Sequence, residues 1–288
     1  MKERPCIFGE VLFDQFPGGK RVLGGAPFNV AWNLQAFGQN PLFVSRIGDD
    51  EEGETVRAAM LDWGMDDSGL QVDPQLPTGR VNVSFHSGEP EYEIIHPVAY
   101  DAIGMPRNLP RCCLLYHGSL ALRDELSRGT LEGVREEFEG TLFVDVNLRP
   151  PWYEAEQVLG MVEAADWVKL NQHELETLSP DAADAWNFLD HHELEALVVT
   201  RGASGAEVLT ASGQRVKIEP EGDVDVIDTV GAGDAFSAVT ILGLLHAWPL
   251  EITLQRAQSF ASAVVGQRGA TVADRDFYRS FTDRWQND

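Results

Sequence analysis

The sequence is poor in positive charge. It sets 22 lysines and arginines against 46 acidic residues, a formal net charge of −24. Nucleic acid is held mainly by neutralising its phosphates, so this balance argues against such a partner. The excess reads most simply as a solvated acidic surface, for which salt adaptation of the source is one reason. Cysteine is scarce as well. The three present, two of them adjacent (Cys112, Cys113), make neither a disulfide framework nor a zinc-ligand spacing. No apolar run reaches the length of a membrane span. The opening Met1-Lys2-Glu3-Arg4-Pro5 leads straight into a strand-like Cys6-Ile7-Phe8 with no signal-peptide pattern. A reduced, cytoplasmic setting without membrane attachment is the expectation. Internal repeats, low-complexity linkers and a Gly-x-x-x-x-Gly-Lys-Ser/Thr phosphate loop are absent too.

What is present is an alternation of strands and helices. With 288 residues, 43% of them apolar, the chain can build one large α/β domain with an appendage. Expected buried strands fall at 6–9, 41–47, 112–116, 142–146 and 197–200. Helices fall near 28–37, 52–63, 123–138, 153–165, 173–178 and 181–190, with 235–247 and 252–267 closing the core. Continuous apolar strands between helices predict a doubly wound, mostly parallel sheet with helices on both faces. Two stretches differ. Residues 11–23 are turn-rich, and 78–98 alternate Val81, Val83 and Phe85 with polar neighbours before a turn at 87–90. They predict a small β-sheet inserted in the same domain, with one buried face.

Ligands of such sheets bind at the carboxyl ends of the strands. The chemically suggestive residues collect there: Asp14, Gly25, Asn147, Asn171, Gly202 and Asp234. The central stretch is Ile227-Asp228-Thr-Val230-Gly231-Ala232-Gly233-Asp234. Two glycines let the backbone turn and leave N–H groups free at a helix N-terminus, where anions bind. Asp234 at that lip suits a base that takes a proton from a hydroxyl attacking phosphorus. The helix dipole is expected to keep its pKa low. The plainer reading is a capped helix with an acid in its first turn.

Other groups carry the same double reading. Asp14, Gly25 and Asn29 suit several sugar hydroxyls at once, or an Asx turn, a tight turn and a solvated helix face. Asn147 and Arg149, after Asp145, can reach a substrate, or merely cap a strand exit fixed by two prolines. Asn171 and Glu174 suit a phosphate and hydrated Mg²⁺, or a capping box. Thr200, Gly202 and Gly205 suit a nucleotide turn, or a plain β–turn–β link. Gly269 and Ala270 can wall an adenine, or end a helix. The histidines show no partner spacing.

Taken together, Gly24-Gly25-Ala-Pro-Phe-Asn29, with Gly38 and Gly48 downstream, resembles the N-terminal signature of ribokinase-like sugar kinases of the phosphofructokinase-B type. Asp228-Thr-Val-Gly-Ala-Gly-Asp234 resembles their C-terminal signature, and Asn171 to Glu174 their Asn-x-x-Glu element. The resemblance implies ATP-dependent phosphorylation of a primary sugar hydroxyl. It makes Asp234 the base and the N–H groups of Gly231, Ala232 and Gly233 the anion hole. Asp14, Gly25 and Asn29, with Asn147 and Arg149, hold the sugar. Asn171, Thr200, Gly202, Gly205, Gly269 and Ala270 serve the nucleotide. Glu174 holds Mg²⁺ through water, and Asp228 with the Val230 carbonyl holds a monovalent cation such as K⁺. The inserted sheet becomes a lid, with a homodimer through it as a further implication. The Gly-Gly-Ala-Pro form and the Asp145-Val-Asn147-Leu-Arg149-Pro-Pro stretch are similar to fructokinases. Two positions depart from the pattern: Arg201 in the nucleotide turn and Ser259 in the last core helix. The rival readings are a kinase for 2-keto-3-deoxygluconate, ribose or a nucleoside, a dinucleotide oxidoreductase, and a non-catalytic sugar binder. Phe236 stands where a dinucleotide fingerprint needs its third glycine.

Overall fold

Alternate residues of the first strand, Arg4–Phe8 (β1), enter two different cores: Ile7 lies in one, Cys6 and Phe8 in the other. That is what a strand covered on both faces requires. The computed structural model describes residues 4–86, 89–106, 110–180, 184–220 and 227–287. After β1 come Leu12–Gln15 (β2), Arg21–Gly24 (β3), Ala26–Ala36 (α1), Leu42–Gly48 (β4), Glu51–Trp63 (α2), Leu70–Asp73 (β5), Gly79–His86 (β6) and Glu89–Ile94 (β7). The middle of the chain holds Cys112–His117 (β8), Glu125–Glu136 (α3), Thr141–Asp145 (β9), Ala155–Glu163 (α4), Trp167–Asn171 (β10), Gln172–Leu178 (α5) and Ala185–His191 (α6). Ala196–Thr200 (β11), Ala206–Thr210 (β12), Arg215–Ile218 (β13), Ala232–Leu245 (α7), Leu250–Val265 (α8) and Arg275–Asn287 (α9) complete it.

The main sheet has nine strands in the order β13-β12-β11-β10-β9-β8-β1-β4-β5. The strands from β11 to β5 run parallel, and β12 and β13 add an antiparallel edge. One core packs α1, α2, α7, α8 and α9 on one face. The other packs α3 to α6 on the opposite face. The doubly wound expectation holds. So does the burial of the apolar α7, whose residues Ala235 to Gly243 are all inside.

A separate sheet of four strands, β3-β2-β6-β7, is built from the turn-rich stretch 11–23 and the alternating stretch 78–98. Its buried face is shorter than expected. Val81 and Val83 are buried, but Phe85 and Tyr92 are 55% and 56% exposed. The alternation runs past the end of the core that the face covers. Two core strands, β5 and β10, and the helix α9 were not legible as elements. α9 is strongly amphipathic, and its Tyr278 hydroxyl donates to Asn33 Oδ1 at 2.8 Å, fixing it to α1. Residues 223–226, where the sequence also predicts an acidic-flanked strand running into the 227–234 stretch, the tip of the turn at 87–90, and the start of the expected helix at 181 lie outside the described residues.

Candidate active site

Gly231 opens the site. It is the N-cap of α7, with φ at +82°, and a Cβ there would stand 2.3 Å from the Ala270 Cβ. Only glycine accepts both the left-handed conformation and this approach. The turn therefore lies directly against the loop that carries Gly269 and Ala270. Asp228 fastens the two together: its Oδ1 accepts the Val230 N–H at 3.0 Å and its Oδ2 the Gly269 N–H at 3.1 Å. The α7 ladder begins with the Ala235 N–H donating to the Gly231 carbonyl. The N–H groups of Ala232, Gly233 and Asp234 come before that bond, at the positive end of the helix. Ala232 makes only a long contact, 3.4 Å, to the Thr229 carbonyl.

Asp234 is half-buried, and its Oδ2 accepts a hydrogen bond from Asn29 Nδ2 at 2.7 Å. The two residues are 205 positions apart. Asn29 is placed by α1, which starts at Gly25 (φ 113°) with Pro27 in its first turn. Asp14 comes from β2. The Asp14 and Asn29 side chains both reach within 4 Å of the point where a Gly24 Cβ would lie. The expected trio thus converges beside Asp234. Asn29 Oδ1 is buried and without a partner, an acceptor that a ligand hydroxyl would satisfy.

The electrostatics correct one expectation. Burial pushes the Asp234 pKa up to about 6, with Asp145 adding to the rise and Asn29, Lys169 and Arg149 opposing it. Desolvation outweighs the helix dipole that was expected to keep it low. Asp14 is likewise raised to about 6 by burial; Arg149 opposes that shift and Asp228 adds to it. Arg149 itself is exposed and forms no ion pair among the described residues.

Beneath the helix N-terminus lies an element that the sequence reading passed over. Lys169 Nζ is buried and donates to both oxygens of Asp145, at 3.0 and 2.8 Å. It also lies 3.5 Å from the position of a Gly233 Cβ. Ser237 Oγ and the Tyr116 hydroxyl donate to Asp145 as well, at 2.7 and 3.3 Å. Asp145 is therefore held by Lys169, Ser237 and Tyr116 as a structural anchor. Removing one partner of a buried pair leaves an uncompensated charge. Lys169→Met is expected to cost about 3–5 kcal/mol in denaturant unfolding, and adding Asp145→Asn should restore most of that loss.

Glu174 takes part in a full capping box. Its Oε2 accepts the Asn171 N–H at 2.8 Å while Asn171 Oδ1 accepts the Glu174 N–H at 2.9 Å. Its Oε1 accepts the Leu148 N–H at 2.8 Å, tying the Asn147–Arg149 stretch to α5. Burial raises its pKa, helped by Asp145. Asn147 sits at φ +43°, a conformation asparagine tolerates. Along the expected nucleotide turn the glycines separate. Gly202 (φ +53°) has nothing within 4 Å of a Cβ, while a Gly205 Cβ would overlap the Ile218 carbonyl. Gly205 is thus required by the β12–β13 hairpin itself. Asn171 and Thr200 are register partners at the ends of β10 and β11. Arg201 points away from this edge to Glu207, which Arg215 also holds at 2.6 Å. Ser259, the other departure, lines a cavity of about 460 Å³ with Ile218, Glu219 and Ser262.

The small sheet closes over this end of the core. Val22 of β3 lies 3.4 Å from the position of a Gly269 Cβ, and Thr271 Oγ1 donates to the Leu23 carbonyl at 3.4 Å. Residues 8–276 match the pfkB family carbohydrate kinases. The chain belongs to that family. This pfkB-family kinase is 30% identical over 309 residues to the fructokinase of Salmonella typhimurium, covering 98% of this chain and all of that one. It is similar in structure to the aminoimidazole riboside kinase of Salmonella enterica in complex with aminoimidazole riboside and an ATP analogue. The TM-score is 0.83 at 27% identity, over 97% of this chain and 99% of that one. A double mutant of the Vibrio cholerae O395 fructokinase, in its fructose-, ADP- and potassium-ion-bound form, gives 0.81 at 26%, over 97% and 98%. This pfkB-family member is therefore a sugar phosphotransferase. Among its described residues no helix is long and apolar enough to cross a membrane.

Proposed function

We propose that the enzyme transfers the γ-phosphate of ATP to a hydroxymethyl group of D-fructose. The observation that carries the reading is the Asn29–Asp234 bond at the N-terminus of α7, with Asp14 beside it. Asp234 takes the proton of the attacking hydroxyl, and the N–H groups of Gly231, Ala232 and Gly233 stabilise charge on the transferring phosphoryl. Asp14, Gly25, Asn29, Asn147 and Arg149 bind the sugar. Asn171, Thr200, Gly202, Gly269 and Ala270 line the nucleotide side, and Gly205 shapes its turn.

Mg²⁺ supplies charge neutralisation of the phosphates. Both Glu174 oxygens already accept backbone N–H groups, so their spare lone pairs suit the metal's water shell and not direct ligation. Asp228 has one acceptor position left on each oxygen, which fits a monovalent cation shared with the Val230 carbonyl. The small sheet acts as a lid that keeps water from the phosphoryl group. The exposed Phe85 and Tyr92 give it an apolar strip that a second copy would cover, making a dimer.

Among the described residues the one guanidinium that bears on both Asp14 and Asp234 is Arg149, which supports a neutral sugar over a sugar acid such as 2-keto-3-deoxygluconate. Arg107, the other cation that could serve a sugar acid, lies outside the described residues. A riboside acceptor is the second reading, supported by the likeness to aminoimidazole riboside kinase. The test is ADP release with MgATP against fructose, ribose, aminoimidazole riboside, adenosine and 2-keto-3-deoxygluconate, in K⁺ and in Na⁺. The expected outcome is the highest kcat/KM with fructose and a rate several-fold higher in K⁺. Preference for a riboside would keep the chemistry and discard the acceptor.

A further inference from the structure

Glu10 follows β1 at the seam between the two sheets. It is 2% exposed, and its Oε2 has no hydrogen-bond partner. A buried acceptor left unpaired costs free energy, so a native structure keeps one only where something else satisfies it. The Glu10 main chain packs on Gly25: a Cβ at Gly25 would stand 2.7 Å from the Glu10 carbonyl oxygen. Gly25 in turn begins the helix that aims Asn29 at Asp234. The charges that Glu10 feels are those of the same pocket, Arg149 and Asp234, together with Arg123. Arg123 opposes the rise only from a distance, since its Nε and Nη2 donate to the two oxygens of Asp101 at 2.7 and 2.8 Å and it makes no hydrogen bond to Glu10 Oε2. Burial lifts the Glu10 pKa to about 7.

We infer that Glu10 is a further contact residue for the acceptor, its carboxyl taking a hydroxyl of a neutral polyhydroxy substrate beside Asp14 and Asn29. The inference rests on the sugar site proposed above and extends it. A sugar hydroxyl donates to the unpaired Oε2 and removes the cost of leaving it bare. Glu10 also adds a third carboxyl to Asp14 and Asp234 around Arg149, so the pocket favours a neutral sugar over a sugar acid.

The experiment compares wild type with Glu10→Ala and Glu10→Gln, using whichever acceptor of the panel the wild type phosphorylates. Glu10→Ala should raise KM for that sugar at least tenfold and leave KM for ATP within twofold. Glu10→Gln keeps an acceptor oxygen and should fall between. The thermal midpoint of Glu10→Gln should not drop, because it removes a desolvated charge and keeps the volume, whereas Glu10→Ala loses some stability to the cavity it leaves. Singly deoxygenated acceptors supply the second readout. One position should cost the wild type about tenfold in kcat/KM and cost Glu10→Ala nothing more; if the alanine variant does not fold, Glu10→Gln carries this comparison. A sugar KM within twofold of wild type in both variants overturns the inference. So does a wild type and variant that lose equally at every deoxy position. A wild type inactive on every acceptor strikes the sugar-site reading itself, which separates the two failures.

Discussion

Asp234→Asn should lower kcat by about 10²–10⁴-fold, the usual worth of a positioned general base. The substitution leaves geometry nearly intact, since an asparagine oxygen can still accept from Asn29 Nδ2. KM for both substrates should change little. The same variant should be more stable than the wild type at pH 8. The sign follows from the direction of the shift. Asp234 rises from 3.8 to about 6 on folding, so its stabilising contribution is full below the unfolded value and lost as pH climbs through 6. The ionised carboxylate is thus a liability at pH 8 that asparagine removes, and the gain should vanish near pH 4. Calorimetry at both pH values checks this, with an unchanged kcat refuting the base assignment. For wild type, kcat/KM should fall below about pH 6. Because Asp14 titrates in the same range, the logarithmic slope there should lie between one and two.

Gly231→Ala should be nearly as damaging, by a different route. A Cβ at Gly231 stands 2.3 Å from the Ala270 Cβ and 2.7 Å from its Cα. It also meets the left-handed backbone penalty, about 1–2 kcal/mol for a residue with a side chain. The turn must move, and α7 carries Asp234 and the free N–H groups with it. A displacement of about 1 Å at reacting groups can cost roughly 100-fold, and that is the loss expected in kcat. Ala270→Gly in the same chain should recover part of the loss, because it removes the Cβ overlap and leaves the Cα one. Full activity in Gly231→Ala would show that the turn does not set the geometry of the site.

The convergence of distant residues was legible in the sequence as polar markers beside apolar strands, although the structure places Asp14 inside β2 and Asn29 and Asp234 in the first turns of α1 and α7. Asp14, Gly25, Asn29 and Asp234 do meet, and the turn-rich and the alternating stretch do form the second sheet. Three things were hidden, each for a physical reason. Glu10 sits in an apolar stretch and looks like a solvated acid; only its burial shows otherwise. Lys169 lies within a strand whose side chains alternate inward, and its pairing with Asp145 arises from sheet order, which periodicity does not specify. The raised pKa of Asp234 depends on desolvation and on Asp145, a residue 89 positions away, while the sequence showed only the helix N-terminus. Local capping was readable in both directions: Asn171 and Glu174 form the box their spacing suggests, and that box also holds Leu148.

The 205-residue separation of Asn29 and Asp234 also bears on how the enzyme is made. Translation at about 5–20 residues per second puts roughly 10–40 s between the two side chains leaving the ribosome. During that interval β1, β4 and α1 have no α7 to cover them, and one face of the sheet stands open. Any nascent chain released before residue 232 holds Asn29 without Asp234, the carboxylate it bonds, and lacks the helix N-terminus with its free N–H groups. Premature termination therefore yields fragments that cannot spend ATP, and the aggregation-prone moment in biogenesis is the wait for α7.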